Sequence, residues 1–187
     1  MSSKLVFLSN FLSSPKEVAA IAPSSKYLIN QILSHVALED AKFLVEYGAG
    51  VGTVTYALLE RLNPNAKLIC FETNLKFCNL IKKEIKDDRL EVINDSAENL
   101  AYHLKRLGIG SIDYAFSGIP FSLIEQKNKK EIIKSTRDNL RDGGKFVVYQ
   151  QYSMMVRKYL RIYFKNIKTK LELRNIPPSY VFVCERT

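Results

Sequence analysis

Several kinds of chemistry are made implausible by what this chain lacks. It has three cysteines (Cys70, Cys78, Cys184), an odd number with no CxxC pair. Cys70 and Cys184 lie in apolar, strand-like runs, which reads as buried thiols in a reducing compartment rather than a disulfide framework. Two histidines, His35 and His103, are too few to support a zinc site, so no metal is expected. No run approaches the roughly 18–20 consecutive apolar residues that span a bilayer. The opening MSSKLVFLSNFL is interrupted at Ser9 and Asn10 and lacks a small-residue cleavage site, which argues against a secretory signal. There is no low-complexity segment, internal repeat or Pro/Gly/Ser linker long enough to separate two domains. A cytoplasmic protein is expected, with peripheral attachment at the inner face of the membrane as its accompanying possibility.

What remains is an ordinary globular composition, 47% hydrophobic and 25% charged over 187 residues, enough for one domain with a real core. The charge is uneven. The whole chain carries +9, and from Lys145 to Thr187 nine Lys or Arg face only Glu172 and Glu185. That bias favours a phosphate-rich partner, either nucleic acid or an anionic membrane surface.

Short apolar runs alternate with amphipathic ones. The stretch to about residue 38 reads as helical, with Phe7, Leu8, Phe11 and Leu12 on one face and a second apolar stripe through Leu28, Ile29, Ile32, Leu33 and Val36. Strands are expected at 42–48, 67–72, 90–95, 111–118 and 145–152. Helices are expected at 53–62, 74–86, 99–107, 127–140 and 154–164, that over 127–140 being closed by Asp142-Gly143-Gly144. KNKK (127–130) should start a surface helix, and Met154 and Met155 should face the core. Two further strands, within 168–175 and 179–185, flank Ile176-Pro177-Pro178. Alternating strands and helices imply a parallel sheet covered on both faces, and the last two strands an antiparallel hairpin at one edge. The expected fold is α/β, a Rossmann-like seven-stranded sandwich. The expected division is a helical lid or interfacial segment over 1–38 and a ligand-binding domain over 39–187.

EYGAGVG is the most informative heptad. Glu46, Gly48, Gly50 and Gly52 follow an apolar strand and precede a helix, where a sharp turn and close ligand approach call for glycine. A dinucleotide fingerprint needs a glycine at 53, which is Thr, so the pattern is G-x-G-x-G rather than G-x-G-x-x-G. Glu72 ends the second strand, where a carboxylate can accept hydrogen bonds from ribose hydroxyls, and Asp95-Ser96-Ala97 ends the third.

This set resembles motif I and its companions in the class I S-adenosylmethionine-dependent methyltransferases. The resemblance implies S-adenosyl-L-methionine as cofactor. Glu46 would place its methionine end, Glu72 its ribose, and Asp95, Ser96 and Ala97 its adenine. FSGIPF, ending the fourth strand, would then be the acceptor loop, with Gly118, Ile119, Pro120 and Phe121 facing the transferable methyl. Ile119-Pro120-Phe121 is similar to the I-P-Y of the rRNA adenine dimethylases. In those enzymes an Asn side chain and a backbone carbonyl accept hydrogen bonds from the exocyclic amine while the aromatic ring stacks on the base. Gly118 stands where they keep Asn, and Ser117 is an imperfect substitute.

A second resemblance covers nearly the whole chain. FLSSPKEVAAIAPSS (11–25), EYGAGVGTVT (46–55), SGIPF (117–121), GGKFVVYQQY (143–152) and NIPPSYV (175–181) are similar to the bacterial phospholipid N-methyltransferases. The family's Q-[FY]-[ST]-Y is represented only by Tyr149-Gln150-Gln151-Tyr152. This resemblance implies methylation of an aminophospholipid amine of the phosphatidylethanolamine type. Tyr27, Ser117 and Tyr152 are candidates on position for holding the amine, and Phe121 or Tyr152 for cation–π contact with its methylated forms. The basic cluster Arg157, Lys158, Arg161 and Lys165 would meet anionic headgroups, and Leu5 to Leu8 would enter the interface. RNA is the alternative partner, with adenine N6 as acceptor. A methyltransferase-fold binding protein and a small-molecule acceptor stand as further alternatives.

Overall fold

The computed structural model describes residues 24–151 and 153–187. Seven strands, β1 (Phe43–Tyr47), β2 (Lys67–Phe71), β3 (Leu90–Ile93), β4 (Ile112–Ser117), β5 (Leu140–Gln151), β6 (Asn166–Glu172) and β7 (Ser179–Glu185), form one sheet in the order β3-β2-β1-β4-β5-β7-β6. β1 to β5 run parallel, and β7 lies antiparallel between β5 and β6. The central strands are buried on both faces and accordingly read as continuous apolar runs.

Among the described residues six helices follow from amphipathic periodicity: α1 (Lys26–Leu33), α2 (Thr53–Leu59), α3 (Leu75–Glu84), α4 (Leu100–Arg106), α5 (Gln126–Asn139) and α6 (Val156–Tyr163). Side-chain caps start two of them, Ser25 accepting from the Leu28 amide and Asn74 from that of Lys76. On one face of the sheet Leu28 and Ile32 of α1, Val54 and Leu58 of α2, and Cys78 and Ile81 of α3 pack on Leu44, Leu68, Phe116 and Val147. On the other, Leu100, Ile132, Ile133, Val156 and Leu160 from α4, α5 and α6 pack on Val45, Ile69, Ala115 and Phe146. Each such buried Val, Leu, Ile or Phe side chain contributes about 1.5–3 kcal/mol. The helix read over 26–36 thus belongs to the same core as the sheet. The apolar positions Leu5 to Leu12, and with them most of the 1–38 segment, lie outside the described residues.

Three expectations need correction. Asp142-Gly143-Gly144 does not close α5; it lies inside β5. The register with β4 jumps from Ile112–Leu140 to Tyr114–Lys145, and Gly143 and Gly144 exchange backbone bonds with Arg186, so β7 draws the segment into the sheet as a bulge. Met154 and Met155 are exposed, because they precede the Val156, Tyr159, Leu160 stripe of α6 and fall outside its buried face. Lys129 of KNKK is buried rather than on the surface. Its ammonium lies 5.3 Å from the centre of the Tyr159 ring, which Lys158 also approaches at 5.0 Å. Among the described residues no helix is long and apolar enough to cross a membrane.

Candidate functional site

The carboxyl ends of β1 and β4 meet at one point. Beyond β1 the Gly48 amide donates to Phe71 O (2.8 Å), and beyond β4 the Gly118 amide donates to Tyr47 O (3.0 Å). Gly48, Gly50 and Gly52 all have φ between 55° and 81°. At Gly48 both reasons for glycine apply: the left-handed backbone, and a Cβ that would come within 3.2 Å of Ile119. The glycine loop and the acceptor loop therefore touch.

Beneath this contact Glu46 is completely buried. Its Oε2 accepts from Thr55 Oγ1 (2.7 Å) and Cys70 Sγ (3.2 Å), whereas Oε1 has no partner among the described residues. Burial raises its pKa to about 7, the hydrogen bonds from Thr55 and Cys70 oppose that rise, and the charge of Glu72 adds to it. Glu72 braces the loop from β2, its Oε2 accepting from the Gly50 amide (2.9 Å) and its Oε1 from the Asn74 amide (2.8 Å). Each oxygen keeps one further lone pair. Beyond β3, Asp95 Oδ1 accepts from the Ser96 amide and Asn99 Nδ2, and Oδ2 pairs with His103 Nε2 at 2.8 Å. The His103 bond, followed by that from Asn99, holds the Asp95 carboxyl below the usual carboxylate range. Ser96 caps the 3-10 turn Ala97–Asn99, and Ala97 is buried.

The acceptor loop is organised by two β5 residues to which the sequence reading gave no role. A Cβ on Gly118 would lie 2.6 Å from Tyr149 Oη and 2.9 Å from its ring, so Tyr149 fills the space where a side chain at 118 would stand. Gln150, buried, accepts from the Phe121 amide (3.1 Å) and donates to Ile119 O (2.7 Å) and Tyr149 O (2.7 Å). The visible signal was the run YQQY, which records neither contact. Thr55, at the end of EYGAGVGTVT, and His103 were missed for the same reason.

Other candidates fall elsewhere. Ser117 is wholly buried and its hydroxyl has no hydrogen bond among the described residues. Strand alternation puts it on the Ala115 face, under α5, so it does not reach an amine above the loop. Phe121 is 1% exposed and packs in that same core; its ring serves as an anchor for the loop, not as a stacking platform. Ile119 is half-buried and Pro120 exposed. Tyr27 lies at the start of α1, its ring covered by the Arg174 guanidinium at 4.4 Å. Tyr152 lies outside the described residues. Lys158, Arg161 and Lys165 are exposed around α6, whereas Arg157 is half-buried and its Nε has no partner among the described residues. Among the described residues no group of three His, Cys, Asp or Glu is placed to hold a metal.

A seven-stranded sheet of this order with a glycine loop braced by strand-end carboxylates is the architecture of S-adenosylmethionine-dependent methyltransferases, and the family and relatives it matches make this chain one of them. Within that class the chain belongs to the ribosomal RNA adenine dimethylase family, whose model matches residues 6–103. It is similar to an ornithine lipid N-methyltransferase of Singulisphaera acidiphila, 24% identical over 185 residues that cover 98% of this chain and 96% of that protein. It is also similar to a probable ribosomal RNA small subunit methyltransferase A of Methanosphaera stadtmanae, 28% identical over 119 residues covering 59% of this chain and 43% of the other. In fold it resembles precorrin-6y C5,15-methyltransferase of Geobacter metallireducens, with a TM-score of 0.69 and 17% identity over 88% of this chain and 93% of that one. The residues present fit the cofactor: a buried carboxylate oxygen without a partner, Glu46 Oε1, is what an incoming ammonium group requires.

Proposed function

We propose that the protein methylates the amine of a lipid, an aminophospholipid of the phosphatidylethanolamine type or an ornithine lipid, at a membrane surface. The observation that carries this reading is the interlock of Gly118 with Tyr149. An adenine-methylating loop needs a side-chain acceptor at position 118, and here the phenol occupies that volume. The near-full-length likeness to an ornithine lipid N-methyltransferase supports the same choice.

In this reading Glu46 Oε1 takes the cofactor's ammonium group, the remaining lone pairs of Glu72 take the ribose hydroxyls, and the open lone pair of Asp95 Oδ2, with the Ser96–Ala97 backbone, takes the adenine. S-adenosylmethionine supplies a sulfonium methyl: the amine lone pair forms the N–C bond as the C–S bond breaks, leaving the thioether, and the nitrogen sheds a proton to solvent. The loop held by Gln150 positions the amine. Lys158, Arg161 and Lys165 face anionic headgroups, each worth about 1 kcal/mol near such a surface.

Purified protein incubated with labelled cofactor and vesicles of phosphatidylethanolamine or ornithine lipid in phosphatidylglycerol should give labelled lipid, identified by mass. Unlabelled lipid after prolonged incubation contradicts the proposal. The family model favours a second reading, adenine methylation of rRNA. It requires RNA binding that falls steeply with salt, and the absence of RNA binding at low salt removes it.

A further inference from the structure

One polar group at the centre of the site has no hydrogen-bond partner among the described residues. Tyr149 Oη lies beside Gly118, on the sheet face that also carries Glu46, Thr55 and Cys70, and it hydrogen-bonds to none of the described residues. The Tyr149 side chain is half-buried and its hydroxyl is not sealed from the site, so the oxygen is open to a ligand at the loop. Val148 pairs with Ser117 across β5 and β4, so Tyr149 stands opposite Gly118, at the mouth of the acceptor loop. Its backbone carbonyl is tied by Gln150, which fixes the strand end from which the ring projects.

We infer that the Tyr149 hydroxyl selects the acceptor, its oxygen taking a hydrogen bond from an N–H of the attacking amine and turning the nitrogen lone pair toward the methyl. This rests on the lipid-amine reading and deepens it. Burial, with the charges of Glu46 and Cys70 in support, holds the phenol pKa well above its ordinary value. The group therefore keeps its proton and orients the amine rather than deprotonating it. A protonated phenol oxygen keeps lone pairs with which to accept from the amine. A flat exocyclic amine needs a second in-plane acceptor at 118, which the ring excludes. An aliphatic amine needs only one.

This role depends on the amine carrying a hydrogen. Primary and monomethyl amines in free-base form have N–H bonds, and a dimethyl amine has none. Tyr149→Phe keeps the ring against Gly118 and removes only the oxygen. Its rates are compared with wild type at pH 8 on unmethylated, N-methyl and N,N-dimethyl acceptors, in phosphatidylglycerol vesicles, with the phosphatidylethanolamine and ornithine lipid series run in parallel. Thermal midpoint and S-adenosylmethionine affinity are measured alongside. The expected result is a loss of about tenfold on the first two acceptors, a rate within about twofold of wild type on the third, and an unchanged midpoint and cofactor affinity. Equal loss on all three, the signature of a packing role, overturns the inference, as does no loss on any. Wild-type protein that modifies neither series overturns the lipid-amine reading itself, a failure visible before any variant is compared.

Discussion

At the scale of single residues, Gly118 and Glu46 carry the most consequence. Gly118→Asn places side-chain atoms where Tyr149 already lies, so it should lower stability in urea by about 1–3 kcal/mol and abolish transfer to lipid. Adding Tyr149→Ala should recover the stability, because the two sites share one volume. A fully stable Gly118→Asn single variant would contradict the interlock. For Glu46 the folded pKa of about 7 lies above the ordinary carboxylate value. Between roughly pH 4.5 and 7 the folded state therefore binds the extra proton, and cofactor-free stability should be lost as pH rises through that window, then level off. Cofactor affinity should move the opposite way, strengthening as Glu46 ionises. Glu46→Gln should flatten both dependences and weaken cofactor binding at pH 8 by about tenfold or more, as read by thermal melts and titration calorimetry from pH 5 to 8.5. The strand-end acids were legible in sequence because each directly follows or closes a contiguous apolar run. Tyr149 was not, since its meaning depends on which residue lies across the sheet from it.

At the scale of elements, the strands and their order of succession were readable from apolar runs and glycine turns. Boundaries went wrong where tertiary pairing overrode local signals. Asp142-Gly143-Gly144 has turn composition, yet pairing with Arg186 keeps it in β5. Phe121 was expected in the acceptor loop, as a face for cation–π contact, whereas the 3-10 turn Phe121–Leu123 folds its ring into the core. Ser25, which ends IAPSS, and Asn175, which opens NIPPSYV, meet: the Ser25 amide donates to Asn175 Oδ1 at 2.9 Å, tying the start of α1 to the turn between β6 and β7. The acceptor loop depends on Gln150 in the same manner. Gln150→Leu leaves the Phe121 amide and the Ile119 carbonyl without their partner and should cost about 1–3 kcal/mol in urea unfolding. Methyl transfer should fall while cofactor affinity holds. Unaltered transfer would mean the loop keeps its shape without the clamp.

At the scale of the whole molecule, charge and topology point the same way. The sheet gathers the glycine loop, the carboxylates and the acceptor loop at the carboxyl ends of β1 to β4, as open parallel sheets do. The net charge of +9 is concentrated after Lys145. Reversing Arg161 and Lys165 together, both exposed, should weaken binding to phosphatidylglycerol vesicles by at least tenfold. Added salt should shrink the difference, because exposed charges are screened within about 10 Å at 0.1 M. Equal vesicle binding by both proteins would remove these residues from the membrane contact.

Lipid and rRNA compete directly for one labelled methyl group. The decisive measurement is a single reaction containing wild-type protein, labelled S-adenosylmethionine, aminolipid vesicles and small-subunit rRNA, with products separated by extraction and counted. Label in the lipid phase, on the amine nitrogen, is the expected result. Label confined to RNA, recovered as N6-methylated adenine, would contradict the central claim.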